Sequence, residues 1–342
     1  MRALVLEAIA EVGRDSAPLA ARDLPVPEPK AGEVLVKVSA CGVCHTELDE
    51  IEGRTPPPRL PVVPGHQVVG RVAALGPGAG AWREGDRVGV AWIYSACGKC
   101  RYCVAGDENL CADFKATGRD ADGGYAEYMI ARGDYAHAIP EAFSDAEAAP
   151  LLCAGAIGYR ALRLADLRDG GILGLAGFGA SAHLVLMMAL RRHPDSPVFV
   201  FARSEREREF ARELGAAWAG GTDDEPPAPC AAIIDTTPAW RPVVSALARL
   251  EPGGRLVVNA IRKEEADKRE LLSLDYASHL WMEKKIVSVA NVARRDVREF
   301  LDLAAAIPLR PRIEEYALAE ANRALIDLKM RSVRGAKVLR VS

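Results

Sequence analysis

The sequence predicts a two-domain α/β protein, in which a β-rich domain is joined to a doubly wound parallel-sheet domain. Three observations carry this. From Gly171 onward short apolar runs alternate with helical patterns, the order expected of a parallel sheet wrapped by helices. The first of those runs ends in Gly177-Phe178-Gly179-Ala180-Ser181-Ala182, a G-x-G-x-x-A turn. The preceding part of the chain carries valine-rich alternating runs broken by Pro and Gly, interrupted by a cluster of four cysteines. A length of 342 residues suits two domains of about 100–200 residues each.

In chain order, residues 3–7 and 33–39 read as strands, with Val34, Val36 and Val38 on one face. A proline-rich loop through Pro56, Pro57, Pro58, Pro61 and Pro64 precedes another valine-rich strand at residues 67–74. Ser144 followed by Asp145 and Glu147 marks a helix start, and helical spacing continues over residues 154–165. The strands expected in the second domain are residues 172–176, 198–201, 231–235, 255–260 and 285–289, with helices over 182–191, 205–214 and 243–250. The tail returns to strand-like runs around a helix at residues 320–330, and its last strand, 336–341, is placed to rejoin the first domain. The expected division is therefore 1–150 with 295–342, and 151–294, with the cysteine lobe at about 95–113.

A net charge of −3 offers no basic surface for nucleic acid or an anionic membrane. No run is long enough to span a bilayer, and the N-terminal apolar run soon meets Glu7 and Glu11, so a cytoplasmic location is expected. In a reducing compartment eight cysteines read as metal ligands or catalytic groups before disulfides. Cys97, Cys100, Cys103 and Cys111 follow a C-x₂-C-x₂-C-x₇-C spacing, which suits a closed tetrahedral zinc site that braces a lobe and leaves no place for chemistry.

The G-x-G-x-x-A turn allows close approach of a pyrophosphate through Gly177 and Gly179, with Ala180 opening the helix whose amides hold it. The next strand ends in Ala202-Arg203-Ser204, where an NAD site usually places an acid for the ribose 2′-hydroxyl. With that acid missing, Arg203 and Ser204 favour the 2′-phosphate of NADP(H), while NAD(H) stays possible; the alternative is a solvated Arg heading a charged helix. Cys44, His66 and Cys153 are candidates for a second metal site, although a buried Cys or a lone His is often only structural.

Gly42-Val43-Cys44-His45-Thr46, Pro64-Gly65-His66, Gly85-Asp86-Arg87-Val88, the four-cysteine lobe, Gly123-Gly124-Tyr125-Ala126-Glu127-Tyr128, Cys153-Ala154-Gly155 and the glycine turn together resemble the zinc-dependent medium-chain alcohol dehydrogenases. The resemblance runs nearly end to end. Within that family the chain looks most like the bacterial propanol-preferring and cinnamyl-type branch, a likeness to which Ser288-Val289-Ala290-Asn291 adds. It implies a GroES-like catalytic domain beside a Rossmann domain, and two zinc ions per chain, the catalytic one held by Cys44, His66 and Cys153 with a fourth place open. It also implies reversible hydride transfer between a small alcohol or aldehyde and NAD(P), with zinc as Lewis acid in both directions.

By the same resemblance Thr46 places its hydroxyl on the reacting oxygen and opens a proton relay, while His45 and Arg334 meet the cofactor pyrophosphate, Asn291 belongs to the cofactor site and Glu47 supports His66. Trp92 and Ile93 occupy pocket-lining positions, with Phe114 and Leu280 as weaker members, and suggest a flat apolar cavity for a primary alcohol, including aromatic or allylic ones; a core Trp is the plain alternative. Two positions depart from the family. Asp49 stands where many relatives end the relay with His, and Gln67 replaces a Glu beside the ligand, removing a negative charge. Cys41 and Cys230 match no ligand position. A homo-oligomer, dimer or tetramer, is expected by analogy. The alternatives are a related dehydrogenase of a polyol or cyclic acyl thioester, and a nucleotide-binding scaffold or sensor without turnover.

Overall fold

The computed structural model describes residues 1–307, 309–330 and 334–342. Their contacts divide them into two compact units, one holding Met1–Ala156 and the described residues from Val292 onward except Arg334, the other holding Ile157–Asn291 with Arg334.

In the first unit the eleven-residue strand Glu33–Val43 is the axis of a seven-stranded sheet. One of its edges is shared end to end: Tyr128–Arg132 pairs with residues 33–37 and Ala336–Arg340 with residues 40–43, both antiparallel. The other edge carries Val68–Leu75, with register shifts between Leu35 and Val36 and between Val38 and Ala40. Such irregularities bend a strand and sharpen its twist. Val34, Val36 and Val38 are fully buried, so the alternation seen in the sequence marks the core face. Arg87–Val90 and Ala136–Ala138 extend the sheet beyond Val68–Leu75, and Ile313–Ala317 closes its far end in parallel with Ala336–Arg340.

In the second unit six parallel strands lie in the order Trp218–Gly220, Val198–Phe201, Leu173–Ala176, Cys230–Asp235, Leu250–Val258 and Lys285–Ser288. By chain order this is 3-2-1-4-5-6, the doubly wound dinucleotide-binding arrangement with its reversal beside the first strand. Leu173–Ala176 and Val198–Phe201 are buried at every residue, which is why they read as continuous apolar runs. Phe199, Phe201, Ile233, Leu247, Leu256 and Cys230 pack in one core cluster, so Cys230 is a packing residue. Among the described residues no helix is long and apolar enough to cross a membrane.

His183, on the helix Ala180–Arg192, is fully buried; its Nδ1 lies 3.3 Å from the Gly179 carbonyl and its Nε2 has no hydrogen-bond partner. Burial lowers its pKa from 6.5 to about 4. The unfolded chain therefore takes up a proton below pH 6.5 that the folded chain refuses, and stability is lost as pH falls from 6.5 toward 4. At about 1.4 kcal/mol for each pH unit the full loss approaches about 3 kcal/mol. Denaturant titrations at pH 7, 6, 5 and 4 should show this decline, and His183→Leu should flatten it by one proton; an unchanged slope would count against the assignment.

Candidate active site and metal centres

Cys44 ends the long strand and caps the helix His45–Ile51: its Sγ accepts the Thr46 backbone N–H at 3.4 Å, while its own N–H donates to Glu47 Oε2 at 2.8 Å. The second Glu47 oxygen lies 2.5 Å from His66 Nδ1, with both side chains buried. That contact leaves His66 Nε2 facing the sulfurs. Gly65, just before the ligand, has φ +101, and a Cβ there would lie 2.4 Å from the Tyr125 ring, so only glycine delivers the backbone at this place. Cys153 sits in a π-helical turn, Leu151–Gly155, between the helices Asp145–Pro150 and Ala156–Ala165. Gly155 in that turn lies against Phe300, 2.3 Å from where a Cβ would stand.

His66 Nε2 is 3.6 Å from Cys44 Sγ and 3.2 Å from Cys153 Sγ, and the three donor atoms all lie within 4.8 Å of one another. Tetrahedral zinc with bonds of about 2.0–2.3 Å needs donor separations of roughly 3.5–3.8 Å, so the group fits that ion. The Cys153 thiol, burial and the Glu47 charge together push the Cys44 thiol well above its ordinary value, which leaves a cation to stabilise the thiolates.

The four lobe cysteines also converge, with all four sulfurs within 4.8 Å of one another; Cys103 Sγ is 3.5 Å from Cys100 Sγ and 3.9 Å from Cys97 Sγ. Backbone N–H groups of Lys99 and Cys100 draw the Cys97 thiol down to about 6. Four converging sulfurs fill the tetrahedral positions of a closed site. Cys41 is fully buried and outside both groups.

The remaining sequence-predicted residues are placed as follows. Thr46 is half-buried next to Cys44, and His45 is exposed at the first position of the helix. Asp49 is buried and held by Arg54 at 2.5 Å, so its carboxylate is already committed to a guanidinium. Gln67 is buried against Gly42. The Trp92 ring stands 6.3 Å from His66 and 5.4 Å from Phe114, while Ile93 is fully buried. Sequence reasoning missed Arg54, and it missed Glu50, a buried acid one helical turn beyond Thr46; the i, i+4 spacing was the available signal.

In the second unit Gly177 has φ +81, and a Cβ there would crowd Thr236 and Thr237 at 2.9 Å, whereas Gly179 caps the helix Ala180–Arg192 with nothing within 4 Å of where its Cβ would be. Ala202 is buried and Arg203 is exposed, with no side-chain partner among the described residues. The Ser204 hydroxyl oxygen caps the helix Glu205–Glu213 by accepting the Glu207 N–H at 3.2 Å. Arg334 is paired with both oxygens of Glu213 at 2.6 Å and lies over the Phe210 ring. Asn291 has φ +58, and its buried Nδ2 has no hydrogen-bond partner. Leu280 is exposed in this unit.

Elemental analysis of the purified protein should find about two zinc ions per chain. Cys103→Ser should lower this to about one with a clear fall in Tm, because it opens the bracing site; a Cys103→Ser protein that kept both ions would refute the assignment of the lobe.

Residues 30–141 match the family model described as the alcohol dehydrogenase GroES-like domain. The chain is 44% identical over 330 residues to a probable alcohol dehydrogenase, AdhA, of Mycobacterium tuberculosis, which covers 95% of this chain and 93% of the relative. It is 35% identical over 327 residues to an alcohol dehydrogenase of Geobacillus stearothermophilus, covering 92% and 93% of the two chains. A cinnamyl alcohol dehydrogenase from Sorghum bicolor superposes with a TM-score of 0.86 at 26% identity, over 99% of this chain and 97% of the other. With the two cysteine-containing donor groups and the 3-2-1-4-5-6 sheet, these likenesses place the chain in the zinc-dependent medium-chain alcohol dehydrogenase family, as an alcohol dehydrogenase.

Proposed function

We propose that the protein interconverts primary alcohols and aldehydes with NADP(H) as preferred hydride carrier, NAD(H) being the alternative. The observation that carries this reading is the convergence of Cys44, His66 and Cys153 beside Thr46. Zinc held there supplies Lewis acidity toward an alcohol or carbonyl oxygen. Glu47 holds the imidazole so that Nε2 serves as ligand atom, and its tie to the Cys44 N–H fixes the helix that carries Thr46. In alcohol oxidation the substrate hydroxyl proton passes to Thr46 Oγ1 as Thr46 releases its own proton toward solvent, where His45 stands exposed. Asp49 takes no part as an acceptor, being bound to Arg54. Trp92 and Phe114 supply an apolar wall that suits a flat primary alcohol, aromatic or allylic ones included.

On the nucleotide side, Gly177, Gly179 and Ala180 receive the pyrophosphate, and the free guanidinium of Arg203 pairs with a 2′-phosphate. Ser204, engaged as a helix cap, still has its O–H to donate. Ala202 lets the adenosine ribose lie close, Asn291 offers its unpartnered amide, and Arg334 reaches a phosphate only by leaving Glu213. Eight free thiols suit a reducing compartment. A panel of alcohols and aldehydes assayed with both cofactors should show faster turnover with NADPH, and Arg203→Ala should raise KM for NADPH by about tenfold or more while moving NADH far less. Better turnover with NADH in the wild type would refute the role of Arg203.

A second copy of the chain is the proposed partner. The strand Lys285–Ser288 lies at the edge of its sheet, and Leu272, Tyr276, Trp281, Met282 and Ile286 around it are exposed. Light scattering after size exclusion should give a dimer or tetramer, and Trp281→Glu should shift it toward monomer; a wild-type monomer at micromolar concentration would sink this.

A further inference from the structure

Lys263 follows the strand Leu250–Val258, and its side chain is 9% exposed. Its ammonium donates to Asp235 Oδ2, to the Thr237 carbonyl at 2.8 Å and to the Ala239 carbonyl at 3.0 Å. An ammonium has three N–H donors, so none is left for a ligand. Asp235, which ends the strand Cys230–Asp235, is fully buried, and its other oxygen accepts the Thr237 N–H at 3.1 Å and the Thr237 hydroxyl at 2.7 Å. Burial raises the pKa of this carboxyl, and the neighbouring charge that works against the rise is Lys263. Removing the cation would leave a buried acid without its counter-charge.

Further ties come from the same segment. The Glu264 N–H donates to the Pro238 carbonyl at 2.8 Å, and Asp267 Oδ2 accepts the N–H groups of Trp240 and Arg241 at 2.8 and 2.9 Å. Residues 263–267 thus strap down the loop at 236–241, and it is this loop that lies against Gly177. Thr236 donates both its N–H and its hydroxyl to the Ala176 carbonyl, at 2.9 and 3.1 Å, and side-chain atoms of Thr236 and Thr237 stand 2.9 Å from where a Gly177 Cβ would be. A turn that brings its backbone close to a pyrophosphate depends on the rigidity of what it rests on. We propose that Lys263 is a positioning residue for the dinucleotide pyrophosphate: without touching the ligand, its ammonium fixes the loop at 236–239 that holds the Gly177 turn in its binding shape. The role rests on the reading of Gly177 and Gly179 as the pyrophosphate turn, and adds to it a residue that the glycine pattern does not mark.

The test titrates the zinc-loaded protein calorimetrically with NADPH, NADH and ADP-ribose, which share the pyrophosphate and differ at its two ends. Lys263→Met keeps the aliphatic stem and removes the charge, and should weaken all three ligands by a similar factor of about tenfold or more. In assays at saturating cofactor, kcat and the KM for the alcohol should move by less than about twofold, a split that a general loss of structure would not give. Because a buried substitution can impair folding, Thr237→Val supplies a second variant: it removes one hydrogen bond to Asp235 at nearly constant shape and should weaken the same three ligands by a smaller, equal factor. Dinucleotide affinities unmoved in the variants that fold, a loss confined to NADPH, an unaffected ADP-ribose, or a loss that falls on kcat instead of binding would each overturn the role of Lys263 while leaving the glycine turn in place. A wild type that binds none of the three ligands would instead overturn the reading of the turn, and the role of Lys263 with it.

Discussion

The first unit depends on one carboxylate, Glu47, whose two oxygens are spent on different elements. One accepts the N–H of Cys44 and closes the start of the helix; the other orients the His66 ring. Removing it would free an orphan amide at the helix end and release the imidazole at the same time. Two of the three donors in the Cys44, His66 and Cys153 group are therefore coupled through one carboxylate. The third, Cys153, arrives by a separate route, through a turn that widens the helix locally and is seated on Phe300 by a glycine. The Cys153 thiol, burial and the Glu47 charge make the Cys44 thiol resist ionisation, so the protein scaffold holds the ligands near and a divalent cation supplies the remaining stabilisation.

Much of this was legible in the residues, for reasons that differ from site to site. The lobe cysteines were readable because closed tetrahedral coordination by a short loop forces close spacing, and the spacing is printed in the chain. The nucleotide turn was readable because the backbone at Gly177 must take a positive φ against Thr236 and Thr237. Strands buried on both faces announced themselves as unbroken apolar runs. Cys44, His66 and Cys153 were legible only as scattered candidates until the family pattern joined them, since nothing local records a contact between residues 44 and 153.

What stayed hidden were partnerships made in three dimensions. The pairing of Asp49 with Arg54 depends on how the chain turns after a helix, and it commits the Asp49 carboxylate to a guanidinium without any mark in composition. Arg334 resembled a phosphate ligand yet is clasped by Glu213, a residue far away in sequence. The shared edge of Glu33–Val43 was likewise concealed: the alternation marks a strand over residues 33–39, and only the placed chain carries it on to Val43, where its two halves pair with two different strands.

The π-helical turn at Leu151–Gly155 has a consequence for how such a chain can vary. An α-helix advances its side chains by about 100° per residue, so the extra residue held in a wider turn displaces the phase of everything after it by that amount. Residues on either side of Cys153 consequently follow two separate helical frames, and a deletion of a single residue between Leu151 and Gly155 would merge them. Point substitutions in the neighbouring helices change one contact each, whereas that deletion would rotate a whole face away from its packing. Insertions and deletions, which surface loops absorb easily, should therefore be excluded from this five-residue stretch even where its individual side chains can be exchanged.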